Sequence, residues 1–229
     1  SGILTWSPDS RNLILDKSNG IFLLDPGIFT AQSQLVNVRG EKIEELKDSW
    51  NEKEEKKRAS QLKKLPEEVS DILVRKAQNF VFSPDETKVL YIASASATIP
   101  ENLISALPGS STQKQERDIK AGRTYVYDIK EDRNFMVSDQ ELIFNFQSSI
   151  LNYEKPVLRW FSTPRHLLLA GQEKITILEY DSTNKTDIWS SAYVAPFAFP
   201  TPDSGQIIIL TNFGAQNGEL PNLYTIRLR

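Results

Sequence analysis

Four times in this chain an apolar strand runs into one kind of tight turn. The copies read ILTWSPDSRNLIL (Ile3–Leu15), NFVFSPDETKVLY (Asn79–Tyr91), LRWFSTPRHLLLA (Leu158–Ala170) and FAFPTPDSGQIIIL (Phe197–Leu210). Each carries an aromatic residue, then Ser or Thr, then Pro, and in three copies Asp, before a second apolar run. Proline presets φ near −65° and Ser or Asp side chains accept from nearby backbone N–H groups, so each copy reads as strand, turn, strand.

The prolines Pro8, Pro84, Pro164 and Pro202 are spaced by 76, 80 and 38 residues. These are close to two, two and one units of roughly 40 residues, the length of a four-stranded propeller blade. The expected fold is therefore all-β: a β-propeller with about four blades visible, forming one domain over 1–229. A sandwich of irregular Greek keys gives no reason for the turn to recur. The first unit is expected to continue through Asn12–Leu15, a turn on Asp16–Gly20 with Asn19-Gly20 suited to positive φ, Ile21–Leu24 and an outer strand Gln34–Val38. The second is read as Val81–Phe82, Val89–Ala93, Thr124–Ile129 and Glu141–Phe146. The third is Val157–Phe161, His166–Ala170, Ile175–Tyr180 and Asp187–Ser191. The fourth is Ala195–Phe199, Gln206–Thr211 and Leu223–Leu228. Trp6, Phe82, Trp160 or Phe161, and Phe199 are expected at equivalent places between neighbouring blades.

Two insertions break the period. In 40–77, Ile43, Leu46 and Trp50 share a helical face, and Glu52–Arg58 is wholly charged. Pro66 then opens a second helix, with Glu67 and Glu68 at its positive end and Arg75 and Lys76 at its negative end. Val69, Ile72 and Leu73 supply its apolar stripe, so 40–77 reads as a helical hairpin. The second insertion, 94–122, is rich in Ser, Ala, Pro and Gln without a period and reads as a long loop.

Composition removes several chemistries. There is no cysteine, hence no disulfide, thiolate metal site or cysteine nucleophile. The single histidine, His166, opens a strand and is read as structural; no zinc motif exists, and no metal, cofactor or catalytic residue is expected. Net charge is −3, so nucleic acid is not an expected partner. No apolar run reaches membrane-spanning length, so this segment is not expected to insert into a membrane directly. The chain opens on Ser1-Gly2 without Met, and further residues are expected upstream.

Other motifs carry little. Asp9, Asp85 and Asp203 recur at one place in the repeat; they could ring a channel or stabilise each turn, and the adjacent prolines favour the turn. Ser111-Thr112-Gln113-Lys114 matches S-x-x-K but lies in a polar loop without companion motifs. Asn184-Lys185-Thr186 has the form of a glycosylation sequon. Trp50, on the charged helix, is the one candidate binding residue.

The stretches WSPDSRNLIL, FVFSPDETKVLY and APFAFPTPDS resemble TolB-like and WD-repeat-like propellers, whose corresponding turn is commonly Ser-Pro-Asp-Gly. Here Ser10, Glu86 and Ser204 stand at the glycine, and Arg165 replaces Asp in the third copy. The longer stretches GIFLLDPGIFTAQSQLVNV, LPGSSTQKQERDIKAGRTYVYDIKEDRNF and YVAPFAFP are similar to the propeller part of uncharacterised bacterial PEGA-domain proteins. That resemblance implies a non-catalytic binding or scaffolding propeller at the cell envelope, extracytoplasmic and anchored through an N-terminal segment. Its partner would be a protein or a cell-envelope polymer. The alternatives are a gating propeller of a hydrolase whose catalytic domain lies outside this chain, and a carbohydrate-active propeller with paired carboxylates in one cleft.

Overall fold

The computed structural model describes residues 2–38, 40–105, 112–144, 155–212 and 220–228. The protein is mostly β, with several antiparallel sheets and two α-helices. The described residues divide into two compact units, the first running to residue 62 and the second from residue 63 onward.

The first unit holds β1 (Gly2–Trp6), β2 (Leu13–Lys17) and β3 (Gly20–Leu24) in sequential antiparallel order, followed by α1 (Glu41–Leu62). The alternation of strand side chains sends Ile14 to one face, where it meets Ile43 and Trp50 of α1, with Ile21 and Leu46 at the margin. Beyond Trp50 the helix is exposed at every position from 51 to 60. It is sustained there by charge pairs one turn apart, such as Glu52 with Lys56 at 2.5 Å.

The second unit begins with α2 (Glu67–Lys76), which runs into β4 (Ala77–Phe82) without a loop. Val69, Ile72 and Leu73 form its buried stripe, and it packs on β4 and β5 (Lys88–Ala93). β4 and β5 continue into β8 (Thr124–Asp128) and β9 (Arg133–Ser138) as a four-stranded sheet. Between β5 and β8 lies the paired ribbon β6 (Ala97–Thr98) and β7 (Asp118–Ile119). The next four-stranded sheet is β10 (Val157–Trp160), β11 (His166–Ala170), β12 (Ile175–Glu179) and β13 (Thr186–Trp189). The last is three-stranded: β14 (Ala198–Pro200), β15 (Gln206–Thr211) and β16 (Asn222–Arg227).

These three sheets pack face to face in chain order. Leu90, Ile92, Val126 and Val137 meet Leu158, Leu167 and Leu178 in one core. Leu168, Ala170 and Ile175 meet Ala198, Ile207 and Ile209 in the next. The middle sheet therefore spends both faces on burial, which is why its second strand, β11, carries the unbroken apolar run Leu167–Ala170.

Four expectations are corrected. Gln34–Val38 is not an outer strand: residues 32–34 form a short 3₁₀ turn, and only Asn37 bridges to Phe22. The outer strand of the second sheet is Arg133–Ser138 rather than Glu141–Phe146. Instead Ile143 makes a parallel bridge to Val157, with Leu142 and Phe144 buried beside it; 145 and 146 lie outside the described residues. The Asn19-Gly20 turn uses no positive φ; what Gly20 offers is space, since a Cβ there would come within 2.8 Å of the Asn37 side-chain amide, which would have to shift. Finally, one member of the expected aromatic set, Phe199, is out of register. Trp6, Phe82 and Trp160 pair with Leu13, Val89 and Leu167, and the corresponding partner of Ile207 is Pro200, not Phe199. Nor is the set uniformly buried: Phe82 is buried, whereas Trp6 is 51% exposed.

Candidate functional site

The repeated turn has one geometry in three copies. Ser7, Ser83 and Thr201 each donate their N–H to the carbonyl five residues on, at Asn12, Lys88 and Gln206. Their hydroxyl oxygens accept the N–H of those same residues and donate to Asp9, Asp85 and Asp203. Each Asp then accepts the N–H two residues further on. Ser10, Glu86 and Ser204 all sit at φ 58°, the left-handed position where glycine is favoured. Hydrogen bonding from Ser7 and Thr201 holds the carboxyls of Asp9 and Asp203 below their ordinary value. At Asp85 burial pushes upward, but the bonds from Ser83 and Thr87 outweigh it and the net shift is downward. The three carboxylates are thus committed to their own turns.

The third copy closes differently. Phe161 occupies the place of Ser7, donating its N–H to the carbonyl of His166. Pro164 would then fall at the φ 58° position, which a pyrrolidine ring with φ near −65° cannot occupy. The turn has no Asp; His166 Nδ1 instead faces Thr163 Oγ1 at 3.4 Å, with its ring edge-on to Phe161.

Within the second unit, β4, β10, β14 and their turns enclose a groove of about 370 Å³. Phe82, Trp160 and Phe161 give it an aromatic wall, and Pro84, Pro200 and Pro202 give it a rigid rim. Its polar groups are tied to the wall: Trp160 Nε1 donates to Val81 O at 3.2 Å, and Ser162 Oγ donates to Thr201 O at 3.2 Å and meets Ser204 Oγ. Arg159 donates to Pro196 O and lies over the Phe199 ring, 4.4 Å from its centroid. No carboxylate and no imidazole is among the described residues that line the groove. Its chemistry is that of an apolar recognition surface beside sheet edges.

A second polar assembly was not legible in the sequence. The described parts of insertion 94–122, a segment read from sequence as a long loop, are clamped onto the Tyr91, Tyr125 and Tyr127 face of the sheet. Asn134 accepts from Tyr91 OH at 2.9 Å and donates to Glu116 O at 2.6 Å. Arg117 pairs with Asp132 at 3.0 Å and also donates to Pro100 O. Asp132 further accepts from Tyr127 OH at 2.7 Å and from the N–H of Leu103 at 2.8 Å. Burial, with the Asp132 carboxylate next in order, drives the Tyr127 hydroxyl well above its ordinary value. Tyr91 is raised in the same direction, chiefly by burial. In the connection between β13 and β14, Tyr193 is pushed up to about 12 by burial.

The remaining candidates are placed as follows. Trp50 is buried, 7% exposed, against Ile14 and Ile43, so its indole is already used in packing. Ser111 lies outside the described residues. Asn184 is exposed in the β12–β13 turn at φ 49°, donating to Glu179 at 2.5 Å. Among the described residues no cluster of three or more His, Cys, Asp or Glu could hold a metal ion, and no helix is long and apolar enough to cross a membrane.

No protein-family model matches this chain, and no curated protein does. Solved structures align along its length at low identity. A candidate TolB of Agrobacterium tumefaciens aligns at 13% identity and TM-score 0.37, covering 98% of this chain and 76% of that one. Oligogalacturonate lyase in complex with manganese aligns at 13% and 0.37, covering 98% of this chain and 49% of the other. Dipeptidyl peptidase 4 of Porphyromonas gingivalis aligns at 10% and 0.34, covering 99% and 31%. These are similarities of chain path, and they include enzymes as well as a protein whose name states no reaction.

Proposed function

We propose that the sheets are blades of a TolB-like β-propeller and that the protein is a non-catalytic binding module, taking an extended segment of a partner protein into the groove on β4, β10 and β14. The carrying observation is that one groove is built from the leading strands and turns of three successive sheets. A leading strand is a sheet edge, whose backbone groups can pair with an extended chain. The aromatic wall would take apolar side chains from that segment, and the prolines keep the rim preformed at no further entropic cost. The resemblance to PEGA-domain proteins supports a place at the cell envelope, outside the cytoplasmic membrane and anchored by a further segment.

Peptides selected from a random twelve-residue display library against the whole chain test the reading. Selected peptides are expected to bind with micromolar dissociation constants and to lose at least tenfold in Phe161→Ser or Trp160→Leu, both checked for folding by circular dichroism. Peptides that bind the folded variants as tightly as the wild type would place recognition elsewhere and reject the groove.

A further inference from the structure

The outer edges of the sheets in the second unit are not treated alike. β9 and β13 are each joined to the strand before them through a register shift. Such bulges turn an edge away from new partners. β9 is further covered where Asn134 O accepts the Glu116 N–H at 2.7 Å, and β13 carries Asp187, held by Lys174 and Thr176. β16 has none of these devices. It runs six residues beside β15 in unbroken register, contains no proline and bears a single charge, Arg227. Among the described residues no strand pairs with its outer side, and Leu223, Thr225 and Arg227 are exposed. A regular edge of this kind is a template for another extended chain.

The backbone of β16 fixes which residues such a chain would meet. Leu228 donates its N–H to Gly205 O at 2.9 Å, so Leu228, Ile226 and Tyr224 turn their backbone groups toward β15. The N–H and C=O groups of Leu223, Thr225 and Arg227 therefore point outward. Across β15 the Leu210 N–H goes to Phe197 O, in step with that alternation. We propose that this edge is a homodimer contact, in which β16 of a second copy pairs antiparallel with it about a two-fold axis at Thr225. β16 complements itself in that register. The three outward residues face one another, Thr225 on Thr225 and Leu223 on Arg227 at either end. Centring the axis on Tyr224 would set Arg227 against Pro221, which has no N–H to give. Centring it on Ile226 would leave Leu223 with no opposite residue in the strand. The side chains agree. Tyr224 of each copy meets Ile226 of the other in the closer, non-hydrogen-bonded pairs, aromatic on β-branched, and threonine meets threonine. The two arginines are never opposed. The contact lies on the sheet edge opposite β14 and does not depend on the groove there.

Sedimentation velocity of the whole chain over a concentration series tests this. One strand pair is a small interface, so dimerisation is expected with a dissociation constant of about 10–100 μM. Thr225→Pro removes the outward N–H on the axis and leaves the bonds to β15 in place, a position where an edge strand tolerates proline. It is expected to weaken the dimer at least tenfold, whereas Thr225→Val, which keeps the N–H, should dimerise as the wild type does. The chain has no cysteine of its own, so single cysteines report the register. Under mild oxidation Thr225→Cys is expected to form disulfide-linked dimers, its two copies facing each other at about 5.5 Å between Cα atoms. Leu223→Cys, about 14 Å from its counterpart, is not. A chain that stays monomeric to about 500 μM overturns the proposal. So does a dimer that survives in folded Thr225→Pro, or cross-linking at 223 as fast as at 225.

Discussion

The turn residue two after the repeated Ser or Thr shows how a side chain becomes unavailable for chemistry. Asp85 spends one oxygen on Ser83 Oγ at 2.8 Å and on the Thr87 N–H at 3.1 Å. A carboxylate so held is stabilised in its charged form, and its pKa lies below the unfolded value. The sign follows. Its contribution is complete above the unfolded pKa, near 4, and is lost as pH falls through the lower folded value. Urea midpoints of the wild type and Asp85→Asn, followed from pH 7 to 2.5, should differ by a constant amount above about pH 5 and converge below about 4. A gap that widened on acidification would mean that Asp85 is not stabilised as the anion. Three of the four turns were legible in the sequence because local hydrogen bonding alone fixes them. The remaining one was aligned by its proline, and that misplaced it by two residues: strand pairing puts Phe161, not Thr163, at the head of the turn. Phe199 is a separate offset of a single residue: Pro200 stands opposite Ile207, beside the correctly aligned Thr201-Pro202 turn.

Among the elements, β9 and the insertion it carries were the hardest to read. RNFMVS begins with an arginine and an asparagine, which gives it a weaker apolar pattern than ELIF in the expected strand Glu141–Phe146. The polar residues are there because the strand's face is covered by 94–122, whose backbone needs partners: Asn134 and Asp132 supply them. Such a demand arises from tertiary contact and leaves no periodic trace. The clamp makes a quantitative prediction. Asp132→Ala removes the counter-ion of Arg117, whose side chain is only 10% exposed, and leaves a buried charge uncompensated. The expected cost is about 3–5 kcal/mol in chemical denaturation. The double variant Arg117→Met, Asp132→Leu should recover much of that loss, since no charge then remains buried. If the double variant were as unstable as the sum of its parts, the pair would not be acting as a pair. By contrast, α2 was readable to its boundaries: its apolar stripe and the charges at its two ends are local signals, and Pro66 stands immediately before it as its N-cap.

At the scale of the whole chain, the β-rich pattern and the number of repeated strand pairs were legible, but the division into two units was not. The unit boundary falls at the end of α1, within a stretch that the helical spacing joins to α2. Local periodicity reports which residues form a helix and says nothing about which core each helix serves. Here Ile43 and Trp50 serve Ile14, whereas Val69, Ile72 and Leu73 are buried in a different unit. The cores are unequal. The first unit rests on Ile14, Ile43 and Trp50, while the second carries two cores, each spanning adjacent sheets. Stability rises with the apolar surface a unit withdraws from water, and regions with little of it open first. The four tryptophans are well placed to report the order, Trp6 and Trp50 lying in the first unit and Trp160 and Trp189 in the second. With 5-fluorotryptophan incorporated and each resonance assigned by single Trp→Phe substitution, the Trp50 signal should move to its unfolded position at lower urea than the Trp160 signal. Trp50→Ala should lower the first midpoint alone. Coincident loss of all four signals, in the wild type and in Trp50→Ala, would show that the two cores melt as one cooperative body.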